Sequence, residues 1–162
     1  PKCLQVNTTG QLVQQRAQYD VVVCMDCLEH VEDDQALFDE LINLVRPEGT
    51  IIITVPALMA LYGERDVRIG HYRRYNKPRL LSLVDESVTT VRTLRYWNAL
   101  GVAPTFLSQK LLGRNVNEGF RYGKQKFHKR LMRRALFAWF KYVENRLPAP
   151  IGMSLIMVLR RN

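Results

Sequence analysis

Three side chains that form hydrogen bonds and transfer protons directly follow an apolar run near the start of the sequence. Asp26, Glu29 and His30 come after the segment Val21–Met25. That segment has the unbroken, mostly β-branched character of a parallel strand that is covered on both faces. Open α/β sheets bind their ligands at the carboxyl ends of such strands. We therefore predict a ligand site at this strand end, where an imidazole and two carboxylates can accept protons or orient a substrate.

A second group of hydrogen-bond donors occurs in the consecutive residues His71–Tyr75. The arginine guanidinium recognises carboxylates and phosphates through two parallel hydrogen bonds. The two adjacent arginines point in different directions, so one could pair with Asp66 or Glu64 while the other contacts a substrate. A second interpretation stays open, in which the segment is a salt-bridged loop that only covers the end of the sheet.

The cysteines predict neither a disulfide framework nor a metal site. Cys24 and Cys27 are spaced as C-x-x-C, but a zinc site needs a second pair of ligands and only Cys3 remains. A redox pair needs both sulfurs at a helix N-terminus, whereas Cys24 lies inside the predicted strand. We expect one core cysteine and one loop cysteine. With no signal-peptide pattern and no apolar run of about 20 residues, the expected location is the cytoplasm, with or without peripheral attachment to a membrane.

The spacing of apolar residues predicts the elements that would position these side chains. Asp33 or Asp34 can cap a helix, and Thr50–Val55 has the composition of a second strand. Together with Val21–Met25 they form a strand–helix–strand unit of the size of one parallel crossover. The remaining predicted elements are a helix capped by Asn76 with Pro78 in its first turn, a strand at Val88–Trp97 and a strand at Ser154–Leu159.

The first predicted strand lacks one neighbour. An interior strand needs hydrogen-bonded partners on both sides, because an exposed apolar edge promotes aggregation. Thr50–Val55 is one partner, and the segment before residue 19 offers only a short strand around Cys3–Val6. We therefore expect residues 1–162 to be one partial domain, completed by a preceding segment or by a second copy of the chain.

The basic charge is concentrated late in the sequence. Residues 110–146 contain 11 Lys and Arg but only two acidic residues, whereas residues 1–109 contain 11 basic and 13 acidic residues. A helix is predicted there, and one of its faces carries Phe127, Leu131, Ala135, Trp139, Tyr142 and Val143. We interpret residues 101–147 as a helical insertion that packs on the sheet, forms a lid, or lies on an anionic membrane. RNA is a weaker alternative, because the aromatic residues form no obvious stacking platform.

Several motifs occur in an order that is familiar from one enzyme family. They are Tyr19–Val23, Leu28–Val31, Asp33-Asp34, Leu44–Gly49, Ile51–Pro56, and Asp66 followed by Gly70–Tyr75. In this order they resemble the class I S-adenosylmethionine-dependent methyltransferases, in the small-molecule branch that includes the ubiquinone-type enzymes. The resemblance implies an α/β, Rossmann-like sheet whose last two strands form an antiparallel pair, with the helical insertion before the last strand.

The resemblance also implies roles for individual residues. Binding of the cofactor S-adenosylmethionine would fall to Asp26, Cys27, Leu28 and Glu29. The candidate catalytic residues are His30 and His71. The candidate substrate-binding residues are Asp66, His71, Arg73, Arg74 and Tyr75. The acceptor would be a small or lipid-linked molecule.

One part of the family pattern does not occur in this sequence. The glycine-rich turn after the first strand and the acidic residue that ends the second strand are both missing, and Gly10 has no neighbouring glycines. The chain would then supply the half of the domain that completes the cofactor site. The alternative is a non-catalytic methyltransferase-like remnant that binds a membrane, nucleic acid or a partner through its basic helix.

Overall fold

The structure, a computed structural model, describes residues 17–108 and 127–162. The strands are β1 (Tyr19–Met25), β2 (Val45–Pro56), β3 (Thr89–Trp97) and β4 (Ser154–Arg161). The helices are α1 (Asp34–Leu44), α2 (Glu64–Arg68), α3 (Lys77–Leu81), α4 (Val102–Phe106) and α5 (Phe127–Trp139). Short 3-10 turns lie at Leu28–His30, Met59–Leu61 and Ala99–Gly101, and a π-helical turn at Phe140–Glu144 continues α5.

The four strands form one mixed sheet in the order β1-β2-β4-β3. β1 and β2 are parallel, and β4 runs antiparallel to both of its neighbours. The predicted parallel crossover and the predicted antiparallel pair of final strands are therefore both confirmed. The strand that the sequence predicts around Cys3–Val6 lies outside the described residues.

Helix α1 forms where its cap and its apolar spacing predict it. Asp33 is the N-cap, and its Oδ1 accepts a hydrogen bond of 2.9 Å from the amide of Ala36. The helix packs Leu37, Phe38 and Leu41 against a core cluster that includes the central residues of β2 and β4. The second predicted cap is also present, because Asn76 accepts from the amide of Arg79 at 2.8 Å at the start of α3.

The prediction that β1 is covered on both faces is wrong for the described residues. Cys24 is buried and Val22 packs against the core, but Val23 and Met25 on the other face are 53% and 62% exposed. The physical reason is that the core with α1 lies on one face of β1, and that no described element covers the other face. A run of apolar residues predicts a strand, but it does not say which elements cover the strand.

Buried Glu144 anchors the helical segment that joins β3 to β4. Its Oε1 accepts from the amide of Ala99 at 2.7 Å and its Oε2 from the indole of Trp139 at 3.0 Å. Arg95 of β3 donates to the main-chain carbonyls of Glu144 and Asn145. In the described part of the chain, no helix combines the length and apolar character that are needed to span a bilayer.

We predict that Gly152→Ala destabilises the fold, because β4 begins against the backbone of Trp97. A Cβ atom at Gly152 would lie 2.8 Å from both the amide nitrogen and the carbonyl carbon of Trp97, and backbone atoms cannot yield as a flexible side chain can. Overpacking of this kind typically costs about 1–3 kcal/mol. The free energy of unfolding, measured by urea titration, should fall by that amount.

Gly63→Ala is the matched control, since a Cβ at that position meets no atom within 4 Å. Its effect should stay below about 1 kcal/mol, the usual cost of changing an N-cap residue. Equal losses in the two variants would contradict the prediction.

Candidate active site

The predicted site residues follow β1 through a sharp turn. The amide of Asp26 still pairs with the carbonyl of Thr54 on β2 at 2.9 Å, but its backbone has a positive φ of 51°. This left-handed residue ends the strand, and the 3-10 turn Leu28–His30 follows. The turn directs Leu28 and Glu29 inwards, whereas Asp26, Cys27 and His30 stay exposed. The carboxyl end of β1 thus presents polar groups on both sides of one turn.

The loop that contains His71 lies directly against this turn. The amide of Tyr72 donates to the carbonyl of Glu29 at 2.7 Å, and the amide of Tyr75 donates to the carbonyl of Pro56 at 2.9 Å. The loop is therefore attached to the ends of both parallel strands. The imidazole rings of His30 and His71 meet edge to face, with 4.5 Å between their centroids. The structure thus brings together both histidines that the sequence predicts to be catalytic.

Glu29 is buried without a compensating partner. Its side chain has no exposed surface, and neither carboxylate oxygen accepts a hydrogen bond from another residue within the described parts of the chain. The Nε2 atom of His71 lies 3.7 Å from Oε1. Burial, together with the nearby carboxylate of Asp26, raises the pKa of Glu29 to about 7. A carboxyl group with such a pKa can accept and release protons near neutral pH.

Asp66 binds two residues of the His71–Tyr75 loop. Its Oδ1 lies 3.0 Å from Nδ1 of His71 and accepts from Nε of Arg74 at 2.9 Å. Its Oδ2 accepts from a second guanidinium nitrogen of Arg74 at 3.1 Å and from the amide of Gly63 at 3.0 Å. Burial alone would raise the pKa of Asp66, but the hydrogen bonds and charge of Arg74 and the other donors lower it below its usual value. Asp66 is therefore ionised at neutral pH.

Asp34 holds the same loop from the opposite side. It pairs with Arg73 at 3.0 Å and with Arg79 at 2.7 Å, and the hydroxyl of Tyr75 lies 3.0 Å from its Oδ2. The Tyr75 hydroxyl also lies 3.2 Å from the carbonyl of Leu28. Burial opposes ionisation of Asp34, but the Arg73 and Tyr75 hydrogen bonds and the arginine charges lower its pKa overall. The loop is thus held between α1 and α2 by two buried carboxylates.

The sequence predicts one structural and one substrate-facing arginine, whereas the structure gives each a carboxylate partner. Arg74 is buried on Asp66, and Arg73 binds Asp34 and the carbonyl of Glu32, at 2.6 Å for the carbonyl. Tyr75 has no exposed surface. The substrate-binding roles of Asp66, Arg73, Arg74 and Tyr75 stay predictions, and their observed contacts are with other residues of the chain.

Sequence reasoning missed the role of Asp34. It treats Asp33 and Asp34 as alternative caps, but Asp33 alone accepts from the helix amide. Asp34 does not cap the helix. Its side chain is buried and accepts hydrogen bonds or ion pairs from Tyr75, Arg79 and Arg73. The available signal was the pair of acidic residues, because a helix needs only one side chain at its N-cap.

The two cysteines have the predicted environments. Cys24 is buried in β1, and its burial raises the pKa of its thiol well above the usual range. Cys27 is exposed in the turn, with its Sγ 3.2 Å from the carbonyl of Met25. The expectation of one core cysteine and one loop cysteine is confirmed, and Cys3 lies outside the described residues.

Glu29, His30 and His71 each offer a ligand-type atom, and these atoms all lie within 4.8 Å of one another. Carboxylate oxygen and imidazole nitrogen are ligands for divalent cations as well as proton acceptors. The cluster can therefore hold a proton or a small cation between its members.

The basic helix has exposed apolar side chains both on the predicted face and beside it. On that face Trp139 is 37% and Tyr142 is 53% exposed, and Phe137 beside it is 67% exposed. Phe140 stacks on Trp97, with ring centroids 5.0 Å apart. Lys141 lies over the Tyr142 ring, 5.1 Å from its centroid. The predicted face also contains Phe127 and Leu131, whose side chains fall outside the described part, as do residues 110–126. Among the described side chains of this helix, packing on the sheet therefore covers only part of the apolar surface.

Comparison with known proteins matches more than half of this chain to one family. Residues 5–99 match the family model described as a methyltransferase domain. A ubiquinone biosynthesis O-methyltransferase of Salmonella paratyphi A (strain ATCC 9150 / SARB42) is 39% identical over 84 residues, which cover 44% of this chain and 35% of that protein. The chain thus spans about a third (35%) of the length of the curated relatives that it matches.

Solved structures share the fold. An S-adenosylmethionine-dependent methyltransferase from Mesorhizobium loti matches with a TM-score of 0.52 and 11% identity, over 90% of this chain and 64% of that chain. A chain from a Haloferax volcanii complex between the Trm112 methyltransferase activator and a candidate methyltransferase matches with a TM-score of 0.51 and 11% identity, over 90% of this chain and 55% of that chain. At such low identity these likenesses show the fold alone, and they confirm the predicted Rossmann-like class I sheet.

We predict that the unpaired Glu29 makes stability fall as the pH rises. Its pKa is about 7 in the folded chain and 4.5 ordinarily, so the folded state binds the proton more tightly and loses this advantage as pH rises through 7. Between about pH 5 and about pH 8, the free energy of unfolding should drop by roughly 2 kcal/mol more in the wild type than in Glu29→Gln, since one pKa unit corresponds to about 1.4 kcal/mol. Denaturant titrations at the two pH values measure both drops, and parallel pH dependence in the two proteins would refute the prediction.

Proposed function

We propose that this chain, which belongs to the methyltransferase-domain family of class I S-adenosylmethionine-dependent enzymes, takes part in methyl transfer to a small or lipid-linked acceptor. It would supply the C-terminal half of the catalytic domain. The observation that carries the proposal is the buried, unpartnered carboxylate of Glu29 beside two histidines, at the carboxyl end of a parallel strand. Ligand sites of open α/β sheets lie at that place.

The residues at the end of β1 fit the family's cofactor. S-adenosylmethionine supplies an electrophilic methyl group on a positively charged sulfur. Asp26 is exposed beside the turn, and the carboxylate of Glu29 accepts no hydrogen bond from another described residue, so the local charge suits a cation. We assign side-chain contacts with the cofactor to the exposed residues Asp26 and Cys27. Leu28 and Glu29 would contact it through their backbone, because both side chains are fully buried.

The two histidines suit the acceptor side of the reaction. An acceptor hydroxyl or amine must lose a proton when it gains a methyl group, so a base must lie within reach. Burial lowers the pKa of His71, and the hydrogen bond to Asp66 opposes this but does not outweigh it, so His71 stays neutral near pH 7 and can accept a proton. His30 is exposed against the His71 ring and can orient the acceptor. Positioning by such groups accounts for much of the rate enhancement in displacement reactions.

Cofactor binding is the direct test of the proposal. Calorimetric titration with S-adenosylhomocysteine should give heat and a thermal shift for a version of the chain extended at its N-terminus along its gene. The isolated chain should bind more weakly, because its sequence lacks the glycine-rich turn. No heat and no shift with the extended version would overturn the enzyme assignment.

Asp26→Asn separates the charge effect from the fold, since Asp26 is exposed. The affinity for S-adenosylmethionine should fall by roughly two- to fivefold, because exposed charge interactions contribute up to about 1 kcal/mol. The affinity for S-adenosylhomocysteine, which lacks the sulfonium charge, should change less. Asp39→Asn, an exposed residue of α1, is the matched control and should leave both affinities unchanged. An equal loss for the two ligands would contradict a contact with the sulfonium.

A second candidate function is attachment to an anionic membrane surface. It is supported by the exposed aromatic side chains of α5 and the following turn, which lie among Arg133, Arg134 and Lys141. Basic helices with Trp and Phe bind at the interface of anionic bilayers. This function is compatible with a lipid-linked acceptor, and it also covers the alternative of a non-catalytic remnant. Nucleic acid is the other anionic partner, and competition by RNA in the same assay would reveal it.

Vesicle co-sedimentation tests the membrane role. The chain should bind vesicles of equal parts phosphatidylcholine and phosphatidylglycerol in preference to phosphatidylcholine alone. Replacing Arg133 and Arg134 with alanine should weaken this binding roughly thirtyfold, because each cation near the surface contributes about 1 kcal/mol. Replacing Arg65 and Arg68 of α2 removes the same charge elsewhere and should have little effect. Equal binding to the two kinds of vesicle would exclude an electrostatic membrane role.

A further inference from the structure

We propose that Asp66 is a positioning residue that fixes the tautomer of His71, with the proton on Nδ1 and the lone pair of Nε2 directed towards Glu29. The family resemblance implies substrate binding for Asp66, and this prediction stays untested, whereas the observed contacts of Asp66 support a positioning role. The use of this lone pair as a base rests on the proposed function, but the tautomer itself does not.

Asp66 is fully engaged with donors of the chain itself. It is 1% exposed, and both of its oxygens are accounted for by Arg74, the Gly63 amide and His71. An ionised carboxylate can only accept hydrogen bonds. The contact of 3.0 Å between Oδ1 and Nδ1 of His71 therefore requires the imidazole to donate from Nδ1.

Two hydrogen bonds fix the backbone of His71 and thus the position from which its imidazole extends. The amide of His71 donates to the carbonyl of Asp66 at 2.8 Å, and the hydroxyl of Tyr62 donates to the carbonyl of His71 at 2.7 Å. Gly70, with φ of 79°, provides the left-handed turn before the histidine. A residue with a Cβ would be strained there, so the turn that brings His71 over His30 depends on glycine.

The remaining ring nitrogen faces the candidate reaction site. Nε2 of His71 lies 3.7 Å from Oε1 of Glu29, and the His30 ring packs against the same imidazole. The titratable and charged groups around His71 are Glu29, His30, Asp66 and Arg74. A proton released by an acceptor can move to Nε2, and the imidazolium that forms is stabilised by the Asp66 carboxylate. The proton balance is complete without a further reactant.

Asp34 provides a control inside the same loop. Like Asp66 it is a buried carboxylate that pairs with an arginine of the loop, and it also binds Tyr75. It has no contact with an imidazole among the described residues. A change that results from disordering the loop should appear when either carboxylate is substituted. A change in the His71 tautomer should appear only when Asp66 is substituted.

The tautomer can be read directly from nitrogen chemical shifts. The chain contains only three histidines, so imidazole ¹⁵N spectra at about pH 7.5 with a chelator present can be assigned with His30→Gln and His128→Gln. We expect the Nδ1–H form of His71 to exceed the Nε2–H form by about tenfold or more, which corresponds to the strength of a hydrogen bond to a charged group. A dominant Nε2–H form in the wild type would overturn the proposal, whether or not the chain transfers methyl groups.

Asp66→Asn should invert the preference. The amide nitrogen of the new asparagine can take the place of either Asp66 oxygen. In the place of Oδ1, next to His71, it faces one N–H donor, from Arg74. In the place of Oδ2 it faces two N–H donors, from Arg74 and Gly63. The first orientation is therefore favoured, and it donates to Nδ1, which moves the imidazole proton to Nε2. Asp34→Asn should leave the Nδ1–H form in excess.

An unchanged tautomer in Asp66→Asn, or an equal shift in Asp34→Asn, would refute the assignment. If Asp66→Asn does not fold, the wild-type spectrum alone decides. Loss of cofactor binding with the expected tautomer intact would count against the proposed function and not against the role of Asp66.

Discussion

Two buried carboxylates fix the geometry of the candidate site, because they hold one loop against two strand ends. Along His71–Tyr75 the partners alternate: His71 and Arg74 bind Asp66, while Arg73 and Tyr75 bind Asp34. Each carboxylate has several donors, which compensates for the desolvation of a buried charge. They act together with the backbone hydrogen bonds that Tyr72 and Tyr75 donate to Glu29 and Pro56.

Glu29 contrasts with these two carboxylates. Asp34 and Asp66 have lowered pKa values because their donors outweigh burial. Burial raises the pKa of Glu29 to about 7, since its carboxylate accepts no hydrogen bond from another described residue. Burying a polar group without a hydrogen bond destabilises a fold, and such exceptions cluster at functional sites. One region of the fold therefore contains both kinds of group: two carboxylates with several donors, and one carboxyl group that accepts no hydrogen bond from another described residue.

The excess of basic over acidic residues lies in a different part of the sequence from this site. Residues up to 109 are slightly acidic in sum, and the cationic residues gather in the segment between β3 and β4. Glu144 fixes the C-terminal end of that segment to the residues that follow β3. The exposed aromatic and basic side chains of the segment therefore belong to a helix whose position is fixed at that end. An anionic surface and a cationic cofactor would thus meet different parts of the protein.

The sequence by itself predicted the elements and the family, because these depend on local signals. The apolar runs of β1 and β2, the caps at Asp33 and Asn76, and the ordered motifs from Tyr19 to Tyr75 are all properties of neighbouring residues. The sequence also predicted that His30 and His71 belong to one site, but only through the family resemblance.

Only the tertiary structure decided which face of β1 is covered and which partner each polar side chain takes. Val23 and Met25 are exposed because α1 packs on the opposite face of an edge strand, and no local pattern specifies that. Asp34 and Asp66 are indistinguishable by type from exposed aspartates, and Glu29 from an ordinary turn residue. Their roles arise from contacts between residues that are distant in sequence, such as Asp34 with Arg79 and Glu29 with His71, and a fold must form before such distances exist.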